Sequence, residues 1–217
     1  GIDYYIANGA ECEPLLDVSK EIMAKFPDRV LKGLSYLKDY TGAGKAVIAL
    51  KGKYKNAVKA LNNVLVNTGF DIKLFEMGDF FPAGDEQVMV YDITGRVVHE
   101  GGIPLSVGAV VNNIETLYNV CGAVEDNIPV IDKFITVGGN VKNPITLKVP
   151  IGTEIGWLLD FLGVDFKDKV IIDGGPMMGH ITHPNSPITK TTGGLLIFSE
   201  EHPAVTVKKS SLEYILK

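Results

Sequence analysis

Five consecutive apolar residues, Ala46-Val47-Ile48-Ala49-Leu50, constrain this chain more than any other stretch. A strand without polar alternation cannot leave one face in water. It has to be covered on both sides, as the strands of parallel sheets are. The flanking sequence agrees. Lys55 to Leu65 carries Ala57, Val58, Leu61 and Val64 at helical spacing, and Ile72-Lys73-Leu74-Phe75 reads as the next strand. Upstream, residues 3–7 read as a short buried strand and Asp17 to Lys25 as a short helix. A second helix carries Val30, Leu31, Leu34 and Leu37, with Asp28 as its cap and Gly42 and Gly44 closing it. Alternating strands and helices predict an open, Rossmann-like α/β layer.

Further along, Gly84 to Asp92 reads as helical, and residues 97–111, rich in Gly and Pro, as a path over the surface. Asn112 or Asn113 then caps a helix that runs to about Val124. Asp126-Asn127-Ile128-Pro129 marks a boundary, after which the texture changes. Phe134–Val137 and Ile145–Val149 read as strands around the turn signal Gly138-Gly139-Asn140. Thr153 caps a helix through Leu162, and Val170–Ile172 and Leu195–Phe198 are further strands. Hairpin, helix and strands in so short a span predict a small α+β module of β-grasp type. The expected division is residues 1–128, residues 129–200, and a C-terminal extension over 201–217 with a helix from Ser210 to Leu216.

The chain has 217 residues, 46% hydrophobic and 22% charged, with a net charge of −5. That is ample apolar material for a core without staples. No long Lys/Arg run appears, which argues against a nucleic-acid surface. No apolar run reaches the roughly 18 residues that a membrane span needs. Two distant cysteines and no CxxC argue against a disulfide framework and against an iron–sulfur signature in this stretch, and they suit a reducing cytoplasm. The start, Gly1-Ile2-Asp3, enters a buried strand at once, as a piece of a longer protein would.

Three segments carry the chemistry. Asn8-Gly9-Ala10-Glu11-Cys12-Glu13-Pro14 follows the first strand, and the carboxyl end of a strand is where α/β proteins place ligand groups. Gly84-Asp85-Glu86-Gln87 and Asn112-Asn113-Ile114-Glu115-Thr116 share its polar character. Together they describe one nucleotide-like site built from distant loops. Asn112, Asn113 and Thr116 open a helix, where N–H groups and the dipole favour an anion; the plain alternative is an Asn cap. Glu11 and Glu13 can accept ribose hydroxyl bonds, or be a solvated acidic loop. Gly84 permits close approach of a ligand, and Asp85 and Glu86 add carboxylates, or simply suit a helix start. Cys12 and Cys121 read as packed side chains rather than nucleophiles. His180 and His183 lack a third ligand, so no metal site is expected. Gly42-Ala43-Gly44-Lys45 is not a phosphate-binding Walker loop.

In order along the chain, NGAECEP, GDEQ, GGIPLSVGAVVNNIETL and GGPMMG resemble the RnfC-type electron-transport subunits. They are also similar to the PduS-type cobalamin reductases and, more distantly, to the 51 kDa flavin- and NADH-binding subunit of respiratory complex I. The resemblance covers about residue 4 to residue 198. It implies an FMN-binding α/β domain followed by a soluble-ligand-binding β-grasp (SLBB) domain. Family members pass electrons from NADH through FMN to 4Fe-4S clusters. By the resemblance, Asn8 faces the flavin, Glu11 and Glu13 face the flavin or NAD(H), and Asn112, Asn113 and Thr116 line the FMN pocket.

The family's glycine-rich loop, which cradles FMN, and its cluster-binding cysteines lie outside this chain, which therefore reads as the middle of such a protein, expected to be inactive by itself and to depend on that loop for FMN. The expected partners are other subunits of an electron-transfer complex, in a cytoplasmic setting that allows attachment to a membrane complex. No side chain is assigned a catalytic role, because the redox chemistry belongs to the flavin. A second reading is a flavin-free module that docks a partner subunit or a small ligand such as a corrinoid. Ala10, which stands where the complex I protein has an acidic residue, favours it.

Overall fold

The computed structural model describes residues 1–215. The chain divides into two compact units. One holds Gly1–Cys12 and Ser19–Pro129; the other holds Glu13–Val18 and the chain from Val130 onward.

In the first unit, β1 (Tyr4–Asn8), β2 (Lys45–Lys51), β3 (Ile72–Met77) and β4 (Ala109–Asn113) form one sheet in the order β3-β2-β1-β4, every pair parallel. The helices are α1 (Val18–Lys25), α2 (Pro27–Thr41), α3 (Lys55–Thr68), α4 (Glu86–Thr94) and α5 (Ile114–Glu125), with a short 3-10 turn at Pro104–Val107. Side chains alternate across a strand, so one face of the sheet presents Ile6, Ala49, Met77 and Ala109. These pack with Met89 and Val90 of α4. The other face carries Tyr5, Ala7, Ile48 and Leu50, all buried, and α2 runs against β1 and β2. The apolar run at Ala46–Leu50 is thus sandwiched, as its composition requires.

Four local readings change. Residues 109–111, expected to wander over the surface, form β4 together with Asn112 and Asn113, because Ala109, Val110 and Val111 pair in register with Tyr4, Tyr5 and Ile6. Asp28 lies in the first turn of α2 rather than at its cap, which is Phe26 with Pro27 after it. Pro at that position has no N–H to satisfy, so a side-chain cap is less needed. Thr153 donates its hydroxyl to the Pro150 carbonyl (2.8 Å) instead of capping the next helix. The helix read over residues 84–92 spans Glu86–Thr94 instead, with Asp85 as its cap.

The second unit contains β5 (Asp132–Gly139), β6 (Ile145–Pro150), α6 (Ile155–Phe161), β7 (Val170–Asp173), β8 (His180–Thr182), β9 (Gly194–Phe198) and α7 (Pro203–Ile215). Its sheet order is β6-β5-β9-β7-β8. An antiparallel hairpin, β5-β6, is followed by a helix, and the last strand, β9, lies parallel beside the first, β5, at the centre. That is the β-grasp arrangement. Ile135, Val137, Leu158, Leu159, Ile171 and Leu195 form its core. The helix expected from Ser210 begins seven residues earlier, at Pro203, and Leu216 lies outside the described residues. Val205 of α7 is buried against Val170, Ile172 and Phe198, so this helix belongs to the unit's core. Residues 13–18, expected in the first domain, join this unit as well. Leu16 packs on the same cluster, and the Asp17 N–H donates to Thr136 Oγ1 (3.0 Å). No helix among the described residues is long and apolar enough to cross a membrane.

Asp173 ends β7 and accepts a hydrogen bond from the buried Thr192 hydroxyl (2.9 Å). Burial pushes its carboxyl above the usual aspartate range, against the opposing pull of the Thr192 bond and of His180 across the strand pair. A raised folded-state value favours the fold when the group is protonated, and that contribution is lost as pH rises through the raised value. Asp173→Asn is therefore expected to raise the melting temperature at pH 7. The gain should vanish below about pH 4, where an unfolded-chain aspartate is itself protonated. Thermal unfolding of both proteins across pH checks this.

Candidate functional site

The strand order fixes where a ligand can sit. From β1 the chain moves to β2 and β3 on one side, then returns to place β4 on the other side of β1. The reversal makes a topological switch point between β1 and β4, and crevices at the carboxyl ends of such strands are where open α/β sheets bind ligands. Those ends are Asn8 and Asn113, which are register partners. Both carboxamides therefore project to the same face of the sheet, the face that packs on α4. Asn112 pairs with Ala7 and projects to the opposite face. The two asparagines that the sequence offered as a pair are thus separated by the pleat.

The Gly84 turn reaches the same end. Asn8 Nδ2 donates to the Gly84 carbonyl (2.9 Å), and Asn8 Oδ1 accepts from the Ala10 N–H (3.1 Å). The Gly84 N–H donates to Cys12 Sγ (2.9 Å). A Cβ on Gly84 would overlap the Ala10 carbonyl oxygen and crowd the Cys12 sulfur, so only glycine permits this approach. Asn8, Gly84 and Asn113 are accordingly the sequence-predicted residues that the fold brings together.

The remaining candidates have more specific duties. Asp85 Oδ1 caps α4, accepting from the Gln87 N–H (2.9 Å) and the Val88 N–H (3.1 Å), so that oxygen is committed to the helix. Glu86 is exposed in the first turn of α4, where an acid suits the helix dipole. Asn113 holds the N-cap position of α5 with extended backbone, and its side chain makes no capping bond. Thr116 is exposed in the first turn that follows. Glu11 is half-buried.

Glu13 is held by partners far along the chain. It lies in the second unit, where its two carboxylate oxygens accept the N–H groups of Met177 (2.9 Å) and Met178 (2.6 Å). A Cβ on Gly175 would occupy the space of that carboxylate, which explains a glycine there. The ECEP and GGPMMG motifs are thus two halves of one loop clamp. Beside it, a cavity of about 780 Å³ is lined by Pro176, Met177, His180, Ile181, Ala204 and Val207. The role of Cys12 as an acceptor had no signal in the sequence.

Comparison with known proteins assigns the chain to a family. Residues 1–122 match the family model described as the Nuo51 FMN-binding domain, and the chain belongs to that family. The chain is 42% identical over 206 residues to the cobalamin reductase PduS of Salmonella typhimurium, covering 94% of this chain and 45% of that protein. It is 35% identical over 199 residues to a component of the proton-translocating ferredoxin:NAD(+) oxidoreductase complex of Clostridium ljungdahlii, covering 90% of this chain and 43% of the relative. The chain thus spans less than half the length of these relatives. A solved NAD+-reducing NiFe-hydrogenase in the air-oxidized state shares the fold, with a TM-score of 0.78 at 18% identity over 97% of this chain and 43% of that one.

Two substitutions test the geometry. Gly84→Ala is expected to destabilise the first unit by about 2 kcal/mol or more, because its Cβ meets backbone that cannot yield. Chemical denaturation measures this. Glu13→Ala should remove two charge-assisted bonds and cost about 1–2 kcal/mol, with faster hydrogen exchange at the Met177 and Met178 amides. Unchanged exchange there would contradict the clamp.

Proposed function

We propose that this chain is the flavin-holding part of an oxidoreductase subunit. In this reading, electrons pass from NAD(P)H or another donor through FMN to iron–sulfur clusters carried elsewhere in the parent protein. The observation that carries it is the pairing of Asn8 with Asn113 across the switch point, with Gly84 bonded to Asn8 at the same end.

The residues suit FMN. A phosphate favours a helix start, and α5 begins directly after Asn113 with its first-turn N–H groups and positive dipole end. The Thr116 hydroxyl adds a further donor in that turn. The exposed Asn113 carboxamide, with the second N–H of the Asn8 amide left by its bond to Gly84, provides polar partners for ribityl hydroxyls. Ala10 and Gly84 keep the adjoining wall small. When bound, FMN supplies hydride acceptance and one-electron release. The chain's own residues bind and orient; no side chain needs to move a proton. Glu86 is the exposed carboxylate assigned to the ribose of a nicotinamide nucleotide, because Asp85 and Glu13 hold backbone N–H groups instead.

The named relatives support an electron-transfer role within a larger assembly. Other subunits of such a complex, at the face of a membrane assembly, are the proposed partners. The second unit is assigned the soluble-ligand-binding β-grasp role.

Titration of the purified protein with FMN, followed by flavin fluorescence, tests the reading. Saturable binding is expected, with Asn113→Ala weakening it about tenfold and Asn112→Ala less, since only Asn113 shares a face with Asn8. Absence of saturable binding both to this chain and to the chain extended upstream through the glycine-rich loop, or an Asn113→Ala titration equal to wild type, would overturn it.

A further inference from the structure

Cys12 lies two residues beyond the Ala10 wall and outside any sequence-based assignment of a ligand role. Its sulfur is the acceptor for the Gly84 N–H, while the Gly84 carbonyl accepts from Asn8. One residue, Gly84, is therefore held on both of its polar groups by the segment that leaves β1. The next residue, Asp85, caps α4, so the position of Gly84 sets the position of the α4 N-terminus and of Glu86. The neighbouring N–H groups go to local carbonyls, Ala83 to Phe80 and Asp85 to Pro82. The Gly84 N–H instead reaches across 72 residues of sequence to the thiol.

Glycine at 84 makes the arrangement necessary as well as allowed. With no side chain, Gly84 can adopt many backbone conformations, and its placement must come from its bonds. Asn8 fixes the carbonyl and Cys12 fixes the N–H. Removing either leaves a half-anchored turn beside the proposed flavin crevice.

We infer that Cys12 is a positioning residue: its sulfur, as hydrogen-bond acceptor for Gly84, holds the Gly84–Glu86 turn in the conformation that the crevice requires. It does not touch the ligand and performs no chemistry. The inference rests on the flavin reading only for its functional consequence; the bond itself can be tested without flavin.

The experiment compares wild type, Cys12→Ala and Cys12→Ser by two measurements. The first is hydrogen exchange of the Gly84 amide in the flavin-free protein. Exchange is expected to quicken about tenfold in Cys12→Ala, which has no acceptor, and to stay near wild type in Cys12→Ser, whose hydroxyl accepts in the same place. The second is FMN affinity by fluorescence, expected to fall about tenfold in Cys12→Ala and to recover to within roughly threefold in Cys12→Ser. Melting temperatures of all three establish that the variants fold. Equal Gly84 exchange in wild type and Cys12→Ala would overturn the inference. So would equal losses in the Ala and Ser variants, which would mean that sulfur size matters rather than its acceptor role. If neither wild type nor its upstream-extended form binds FMN, the flavin reading fails, while the exchange comparison still decides whether Cys12 anchors Gly84.

Discussion

The parallel pairing of β1 with β4 is the constraint on which the first unit depends. β1 is central, with β2 on one side and β4 on the other, and its five residues are in register with both. Without β4 the sheet would be a simple β3-β2-β1 run with β1 as an exposed edge. With it, the strand order reverses beside β1, the edge is covered, and two asparagines meet at the carboxyl ends. The same pairing places the start of α5 at the end of β4 with no intervening loop, because Asn113 is both the last strand residue and the helix cap position. Fold and candidate site are consequences of one five-residue strand.

Around that pairing, polar groups of the chain are used to hold backbone in place. Asn8 and Cys12 hold Gly84, Asp85 holds the first turn of α4, and, within the second unit, Glu13 holds the Met177-Met178 turn. The two glycines that these side chains approach, Gly84 and Gly175, have no room for a Cβ. Acceptors and glycines therefore come as matched sets: a short backbone segment is brought within reach because glycine admits it, and a polar side chain then fixes it. This is how backbone segments far apart in sequence acquire a defined arrangement.

Much of this was legible in the sequence, for identifiable reasons. The run Ala46–Leu50 and the helical spacing of Ala57, Leu61 and Val64 report burial directly, so β2 and α3 could be read from pattern. The hairpin of β5 and β6 announced itself through Gly138-Gly139 between apolar segments. β4 could not be read so, because Ala109-Val110-Val111-Asn112-Asn113 is short, follows a Gly/Pro-rich stretch, and ends in residues that look like a cap. Its strand character comes from pairing with β1, a tertiary effect. The duty of Glu13 was likewise hidden. A carboxylate after a strand looks like a ligand group, and only the position of the Met177-Met178 turn, 164 residues away for Met177, reveals its partners. Asn112 and Asn113 looked equivalent as neighbours, and the strand pleat makes them different. The motifs pointed to the ends of β1 and β4; the fold decided which faces their side chains take.

The central claim is that the crevice at the ends of β1 and β4 is the flavin site. The most direct measurement is a structure of the protein determined with FMN present. The account predicts the phosphate at the first turn of α5 and the ribityl chain against the Asn8 and Asn113 carboxamides. FMN found elsewhere, for instance in the cavity beside Met177 in the β-grasp unit, with the β1–β4 crevice empty, would contradict it.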